Sequence, residues 1–215
     1  MLKIYEFSFA VGQADRRVFD LLSEVNRDFG DVRYLDIGAS HYLFANNTYL
    51  FYLKGATGVL VDANPDLCKL AESYRPRDIV INCGVSPTES RPLTFYMTTR
   101  IGRNSFIKKN IEKAMPLIPD LRIIDEIEIP MRSANSIIYE YFPDGHIDLL
   151  TIDVEGMDYE ILESLDWSNL KIDVLMAELN PKNKKHVEFV KKMCAKGYNH
   201  EILQDYINLF HNVKH

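Results

Sequence analysis

Short, nearly unbroken apolar runs, each closed by an acid or an amide and most followed by a helical stretch, constrain the fold of this chain more than any other feature. The runs are "VRYLDI", "GVLVDANP", "DIVINCGVS", "HIDLLTIDVEG" and "KIDVLMAELN". Between and after them lie segments with apolar residues at helical spacing: "NNTYLFYLKG", "DLCKLAESY", "MDYEILESL" and "KKHVEFVKKMCAKG". A strand that is apolar at almost every position has no face left for water, so it belongs in a parallel sheet with helices on both faces. The stretch "YNHEILQDYINLFHNV" splits into two short apolar runs around Gln204 and Asp205, the pattern of a C-terminal antiparallel hairpin.

Ahead of the first run, Val18, Leu21, Leu22, Val25 and Phe29 predict an amphipathic helix with Asp15 as N-cap and Gly30 as stop, an N-terminal helical segment over 1–30. The 215 residues, 47% apolar, suffice for one sizeable core, and the chain reads as a single domain over 1–215. One segment breaks the alternation. "LTFYM" and "DEIEIPM" read as extra strands around an unpatterned stretch of about twenty-five residues, the length of a lid. This lid-like insertion, 99–120, carries Arg100, Arg103, Lys108, Lys109 and Lys113 beside one nearby acid, Glu112.

A net charge of -6 repels phosphate backbones, and no basic stripe is present, so nucleic acid is not an expected partner. The opening "MLKIYEFSFAVGQADRR" interrupts its apolar stretch at Glu6, which fits neither a signal peptide nor a membrane span. The expected location is cytoplasmic, without a membrane partner. Cys68, Cys83 and Cys194 are odd in number and lack metal-ligand spacing, which suits buried thiols in a reducing compartment.

Ligands of open α/β sheets sit beyond the carboxyl ends of the strands, which here carry Asp36, Asp62, Asn82 with Cys83, Asp153 with Glu155, and Glu178 with Asn180. A dinucleotide site needs a glycine-rich turn and an acid about twenty residues later. Asp62 supplies the acid, but Gly38 is followed by Ala39, Ser40, His41 and Tyr42, and Asp36 would repel a diphosphate. The ligand implied is a nucleoside with a cation and no phosphate. S-adenosylmethionine has that character: ribose hydroxyls that donate to Asp62, a sulfonium favoured by acids, and an ammonium suited to Asp36. On this reading Gly38 lets the turn pass close to the cofactor.

With "YLDIGAS", "GVLVDANP", "INCGVS" before "LTFYM", "EIEIPM" and "DLLTIDVEGMDYEIL", the chain from Val32 to Leu179 resembles the FkbM-type S-adenosylmethionine-dependent methyltransferases. The resemblance implies a Rossmann-like α/β fold with a seven-stranded, mostly parallel sheet. It also implies methyl transfer to a hydroxyl of a small sugar- or glycan-precursor-related acceptor. Ser40 and Tyr42 stand where the family commonly has asparagine and a last glycine, leaving His41, Asn46 and Asn47 as substitutes at the methionyl end.

The combined reading gives Asp36, Gly38, Ala39, Asp62 and Ala63 to the cofactor, with Asn82 and Cys83 bordering its base. Asp153 and Glu155 are the catalytic candidates, accepting the alcohol proton while the site aligns donor and acceptor. His41, Arg100 and Arg103 are the acceptor contacts, and the lid cations point to an anionic or nucleotide-linked sugar. A divalent metal on Asp153, Glu178 and Asn180 is an alternative route to an acidified alcohol, outside the expected site. Two other functions fit the alternation: a non-catalytic nucleoside-binding module, and a nicotinamide-dependent sugar-modifying oxidoreductase. The oxidoreductase requires the missing second glycine.

Overall fold

The computed structural model describes residues 7–24, 28–154, 156–204 and 206–212. In chain order it forms α1 (Ala14–Glu24), β1 (Arg33–Ile37), α2 (Tyr49–Leu53), β2 (Thr57–Asp62), α3 (Pro65–Tyr74), β3 (Ile79–Asn82), β4 (Gly84–Ser86) and β5 (Ser90–Thr98). It continues with α4 (Lys108–Ala114), β6 (Ile123–Ser133), α5 (Ala134–Tyr141), β7 (His146–Ile152), α6 (Asp158–Ser164), β8 (Lys171–Glu178), α7 (Lys184–Ala195), β9 (Asn199–Gln204) and β10 (Ile207–His211).

Seven strands form one sheet in the order β3-β2-β1-β7-β8-β10-β9. The pairs from β3 through β8 are parallel, and β10 runs antiparallel to both of its neighbours. The chain winds outward from β1 to β3, then returns to β7 on the other side of β1. That reversal is the switch point beyond which a ligand crevice opens.

Two apolar layers cover the sheet. Val18, Leu21 and Leu22 of α1, Phe51 of α2 and Ala71 of α3 pack with Tyr34, Leu60 and Leu149 on one face. Ile137 and Ile138 of α5, Ile161 and Leu162 of α6, and Phe189 of α7 pack with Leu35, Ile37 and Val59 on the other. Each buried Val, Leu, Ile or Phe among them contributes roughly 1.5–3 kcal/mol of burial free energy.

The structure departs from the sequence pattern in four places. Asp15 lies inside the first turn of α1 instead of capping it. Its carboxylate accepts from Ser8 Oγ and from the Phe9 and Arg16 amides, fixing the incoming chain. Helix α1 ends at Glu24 among the described residues, and Phe29–Asp31 forms a separate 3-10 turn; Val25 lies outside the described residues.

The apolar run "DIVINCGVS" is two strands in two sheets. The chain bends at Cys83, whose amide donates to Asp62 O and Ile81 O. Strand β4 then pairs with β6 in a small sheet of order β4-β6-β5. A Cβ on Gly84 would lie 2.4 Å from Met131 Sδ and 2.5 Å from Phe106 Cζ, so a larger residue there would push those side-chain ends aside. Helix α5 has no counterpart in the apolar pattern; Ser133 caps it by accepting from the Ser136 amide.

The insertion 99–120 leaves the small sheet between β5 and β6. It comprises a 3-10 turn at Ile101–Arg103, a bridge between Ser105 and Tyr96, and α4. No helix among the described residues is long and apolar enough to cross a membrane.

Candidate active site

A cavity of about 400 Å³ opens at the carboxyl edge of the sheet. The turns after β1, β2 and β3 and the end of β7 form its floor, the lid residues Ile101, Gly102 and Asn104–Ile107 cover it, and Val11, Gln204 and Tyr206 close the far side.

The turn after β1 begins at Gly38, with φ +84°. Its amide and that of Ala39 donate to Val61 O, tying the turn to β2, while the Asp153 amide donates to Ile37 O. A Cβ on Gly38 would lie 1.8 Å from Asp153 O. The need for glycine therefore comes from the backbone of the neighbouring strand end, in addition to any approach by a ligand. Ser40, also at positive φ (+53°), occupies the conformation that asparagine adopts more readily.

Asp62 ends β2 at the cavity wall. Its Oδ2 accepts from the Ser40 amide at 2.7 Å and its Oδ1 from the Asn64 amide at 2.7 Å. Burial raises its pKa above the ordinary carboxylate value, and the two amides work against that rise. A carboxylate accepts about four hydrogen bonds, so two positions remain for ribose hydroxyls. Asn64 caps α3 by accepting from the Asp66 and Leu67 amides.

Ala39, Ala63 and Cys83 also line the cavity. Burial pushes the Cys83 thiol up to about 11, consistent with a wall residue rather than a nucleophile. Asn82 is outside the wall. Its side-chain amide donates to Asp62 O and Ala63 O and braces the turn after β2, which corrects its expected place beside the base.

Asp36 is a second correction. It lies beneath the cavity floor, 1% exposed, and accepts from Thr48 Oγ1 at 2.7 Å, so it cannot meet an ammonium there. Alternation along β1 sends Leu35 and Ile37 to one face and Asp36 with Tyr34 to the other. Burial pushes Asp36 up to about 6, against the Thr48 bond and the Arg75 charge.

Arg75, which the sequence does not single out, is fully buried and organises this layer. It donates to Asp78 Oδ2 (2.7 Å), Asn46 Oδ1 (3.0 Å), the Tyr34 hydroxyl (2.9 Å) and Thr48 Oγ1 (3.0 Å). Asn46 in turn donates to Ala39 O and His41 O. The turn that lacks glycines is thus held from below, while Asn47 reaches the wall and donates to Thr151 Oγ1.

Asp153, half-buried just past the end of β7, and Glu178, exposed at the end of neighbouring β8, both line the wall. Glu155 lies outside the described residues. The loop after β7 is instead secured by Asp158, which accepts from the Val154 and Gly156 amides. An acid in the first turn of the following helix was the available signal. Asn180 of the alternative metal set does not line the cavity; its Oδ1 accepts from the Lys182 amide.

None of the three expected acceptor contacts lines the cavity. His41 Nδ1 accepts from the Leu43 and Phe44 amides, closing its own turn. Arg100 and Arg103 are exposed on the outside of the lid, while Ile101, Gly102 and Asn104–Ile107 face inward. The charged groups of the wall are Asp62, Asp153 and Glu178, with no Lys, Arg or His among its described residues. An adenosine bearing a sulfonium fits that set, whereas a diphosphate would meet only repulsion.

A switch-point cavity whose described wall carries Asp62, Asp153 and Glu178 and no cation suits S-adenosylmethionine, the donor of one large class of methyltransferases. The pattern of the methyltransferase FkbM domain matches residues 36–200, and the chain belongs to that family. Its chemistry is methyl transfer, not hydride transfer or ligand binding alone. A search of curated proteins gave no match.

Among solved structures, a TehB-like SAM-dependent methyltransferase from Corynebacterium glutamicum is 10% identical, with TM-score 0.45 over 92% of this chain and 86% of that one. An O-methyltransferase from Bacillus cereus in complex with SAH is 13% identical, with TM-score 0.40 over 91% and 80%.

Proposed function

We propose that this methyltransferase acts on a hydroxyl oxygen of a small, uncharged, carbohydrate-like acceptor held between the lid and the C-terminal hairpin. The carrying observation is the wall itself, which has three carboxylates and no cation among its described residues. Phosphorylated and nucleotide-linked sugars would enter it without a partner. A neutral polyol can bond to Asn104, Ser105, Gln204 and Glu178 and set its apolar face against Phe106 and Tyr206.

When bound, S-adenosylmethionine supplies an electrophilic methyl group on its sulfonium. The side chains around it do the rest. Asp62 holds the ribose, the lid excludes water, and Asp153 accepts the alcohol proton as the new bond forms. Alignment carries most of the rate, with proton removal second.

The test is release of S-adenosylhomocysteine across matched neutral and phosphorylated sugars. Turnover should appear with neutral members, and Asp153→Asn should lower it roughly 100-fold or more while S-adenosylmethionine still binds. Turnover confined to phosphorylated sugars would refute the neutral acceptor.

A further inference from the structure

The part of the cavity around Asp62 has an apolar side and a polar side. The neighbouring strands run β3, β2, β1, β7, and the wall takes Cys83 from just past β3, Asp62 from β2, Asn47 from the segment after β1, and Thr151 from β7. With a ribose on Asp62, the side made by Leu67, Cys83 and Val85 suits a purine. The opposite side, with Asn47 and Thr151, then receives the amino-acid tail of the donor.

Asn47 is held from both directions along the chain. Asn46 before it accepts from Arg75 and donates to Ala39 O and His41 O, and Thr48 after it donates to Asp36. Between these two buried neighbours Asn47 is half-buried on the cavity wall, where its Nδ2 donates to buried Thr151 Oγ1 at 3.0 Å. That bond fixes the amide plane. The carbonyl end, Oδ1, accepts no hydrogen bond from a described residue, and a carbonyl oxygen can only take a donor.

Charge selects which donor that is. Asp36 is the register partner of Thr151 on β1, so the two side chains share a face of the sheet, with the Asp36 carboxylate below the floor. Asp62, Asp153 and Glu178 are on the wall itself. An ammonium is attracted to such surroundings, whereas a carboxylate is repelled. Of the three residues expected at the methionyl end, His41 is spent on its own turn and Asn46 lies beneath the wall, which leaves Asn47. Thr151, as an interior strand residue, carries no signal in the sequence.

We infer that the site recognises the tail of S-adenosylmethionine by its ammonium, which donates to Asn47 Oδ1 while Thr151 holds Asn47 in position, and that the tail's carboxylate adds little affinity. This rests on S-adenosylmethionine as the donor and not on the neutral acceptor proposed above.

The experiment is calorimetry of the full chain with S-adenosylhomocysteine, its decarboxylated analogue and its deaminated analogue. The decarboxylated compound should bind within about threefold of S-adenosylhomocysteine, and the deaminated one at least about tenfold more weakly, the loss of one hydrogen bond from a charged group. Asn47→Ala should weaken the two ammonium-bearing ligands about tenfold and leave the deaminated one within about twofold of its parent value. Thr151→Val, which unhooks Asn47, should reproduce that pattern in smaller measure, and Thr151→Ser, which keeps the hydroxyl, should bind like the parent. The deaminated compound still needs a folded cavity, so its unchanged affinity reports folding in the same titrations.

A decarboxylated analogue that binds no better than the deaminated one would overturn the inference, because the carboxylate would then be the group recognised. So would Asn47→Ala weakening all three ligands equally, which makes Asn47 a brace of the cavity, or weakening none, which puts the tail elsewhere. Turnover of neutral sugars is read separately, so either idea can fail alone.

Discussion

Arg75 shows how much a single buried charge can organise. Its guanidinium is fully buried, and the Tyr34 and Asp78 partners more than offset the desolvation that opposes its charge. Replacing it with methionine leaves Asp78 and Asp36 without their countercharge and should cost roughly 3–5 kcal/mol in urea unfolding. Asn46→Ala is the milder probe. It frees Ala39 O and His41 O, and should raise the KM for S-adenosylmethionine about tenfold, each 1.4 kcal/mol being a factor of ten, with kcat changed less.

Asp36 adds a pH dependence. Its folded value of about 6 exceeds the unfolded value of about 3.9, so between them the native state holds a proton that the unfolded chain has released. The stability from that proton is complete below the lower value and lost as pH rises through the upper one. From about pH 4 to pH 7, wild type should lose on the order of 2–3 kcal/mol relative to Asp36→Asn. A constant difference in urea unfolding would show that the group does not titrate there.

At this scale the sequence exposes strand-end acids but not their direction: Asp62 and Asp153 reach the wall, whereas Asp36, one residue short of its strand end, points beneath it. Arg75, between a helix end and Pro76, reads as surface, because only tertiary packing closes over it.

At the scale of elements, the seam between β1 and β7 sets the geometry of the site. Gly38→Ala combines a φ of +84° with a Cβ placed 1.8 Å from Asp153 O. It should destabilise the protein by roughly 3 kcal/mol or more and remove S-adenosylmethionine binding by calorimetry, because strain and clash add. Normal affinity in the variant would show that the two strand ends can part freely.

The alternation of apolar runs made β1, β2, β7, β8 and the C-terminal hairpin legible, since each buried strand needs a continuous apolar face. The division between β3 and β4 was not. An apolar run has the same period on either side of a bend, and the partner that draws β4 into a second sheet, β6, lies far along the chain. Helix α5 was hidden for a related reason: it follows β6 with no residue between them, the last residue of the strand, Ser133, serving as its cap.

Across the whole molecule, the proposed function gives donor and acceptor to different parts of the chain. The turns after β1 and β2 line one part of the cavity, assigned to the donor on that reading, and Val11, the lid and the β9–β10 hairpin line the part assigned to the acceptor. Gln204→Ala and Tyr206→Ala should therefore raise the acceptor KM about tenfold, by losing a hydrogen bond or an apolar wall worth about 1–2 kcal/mol, and leave the S-adenosylmethionine Kd unchanged. A parallel loss of both affinities in steady-state and calorimetric measurements would show that the halves are coupled.

The contact between the bare α-carbon of Gly38 and the Asp153 carbonyl has a practical corollary for redesign. On the proposed mechanism it ties the grip on the donor to the group that takes up the acceptor's proton, so neither can be retuned without disturbing the other. Variation aimed at new acceptors would best begin at Val11, Phe106 and Tyr206, where side chains can be exchanged without touching that joint.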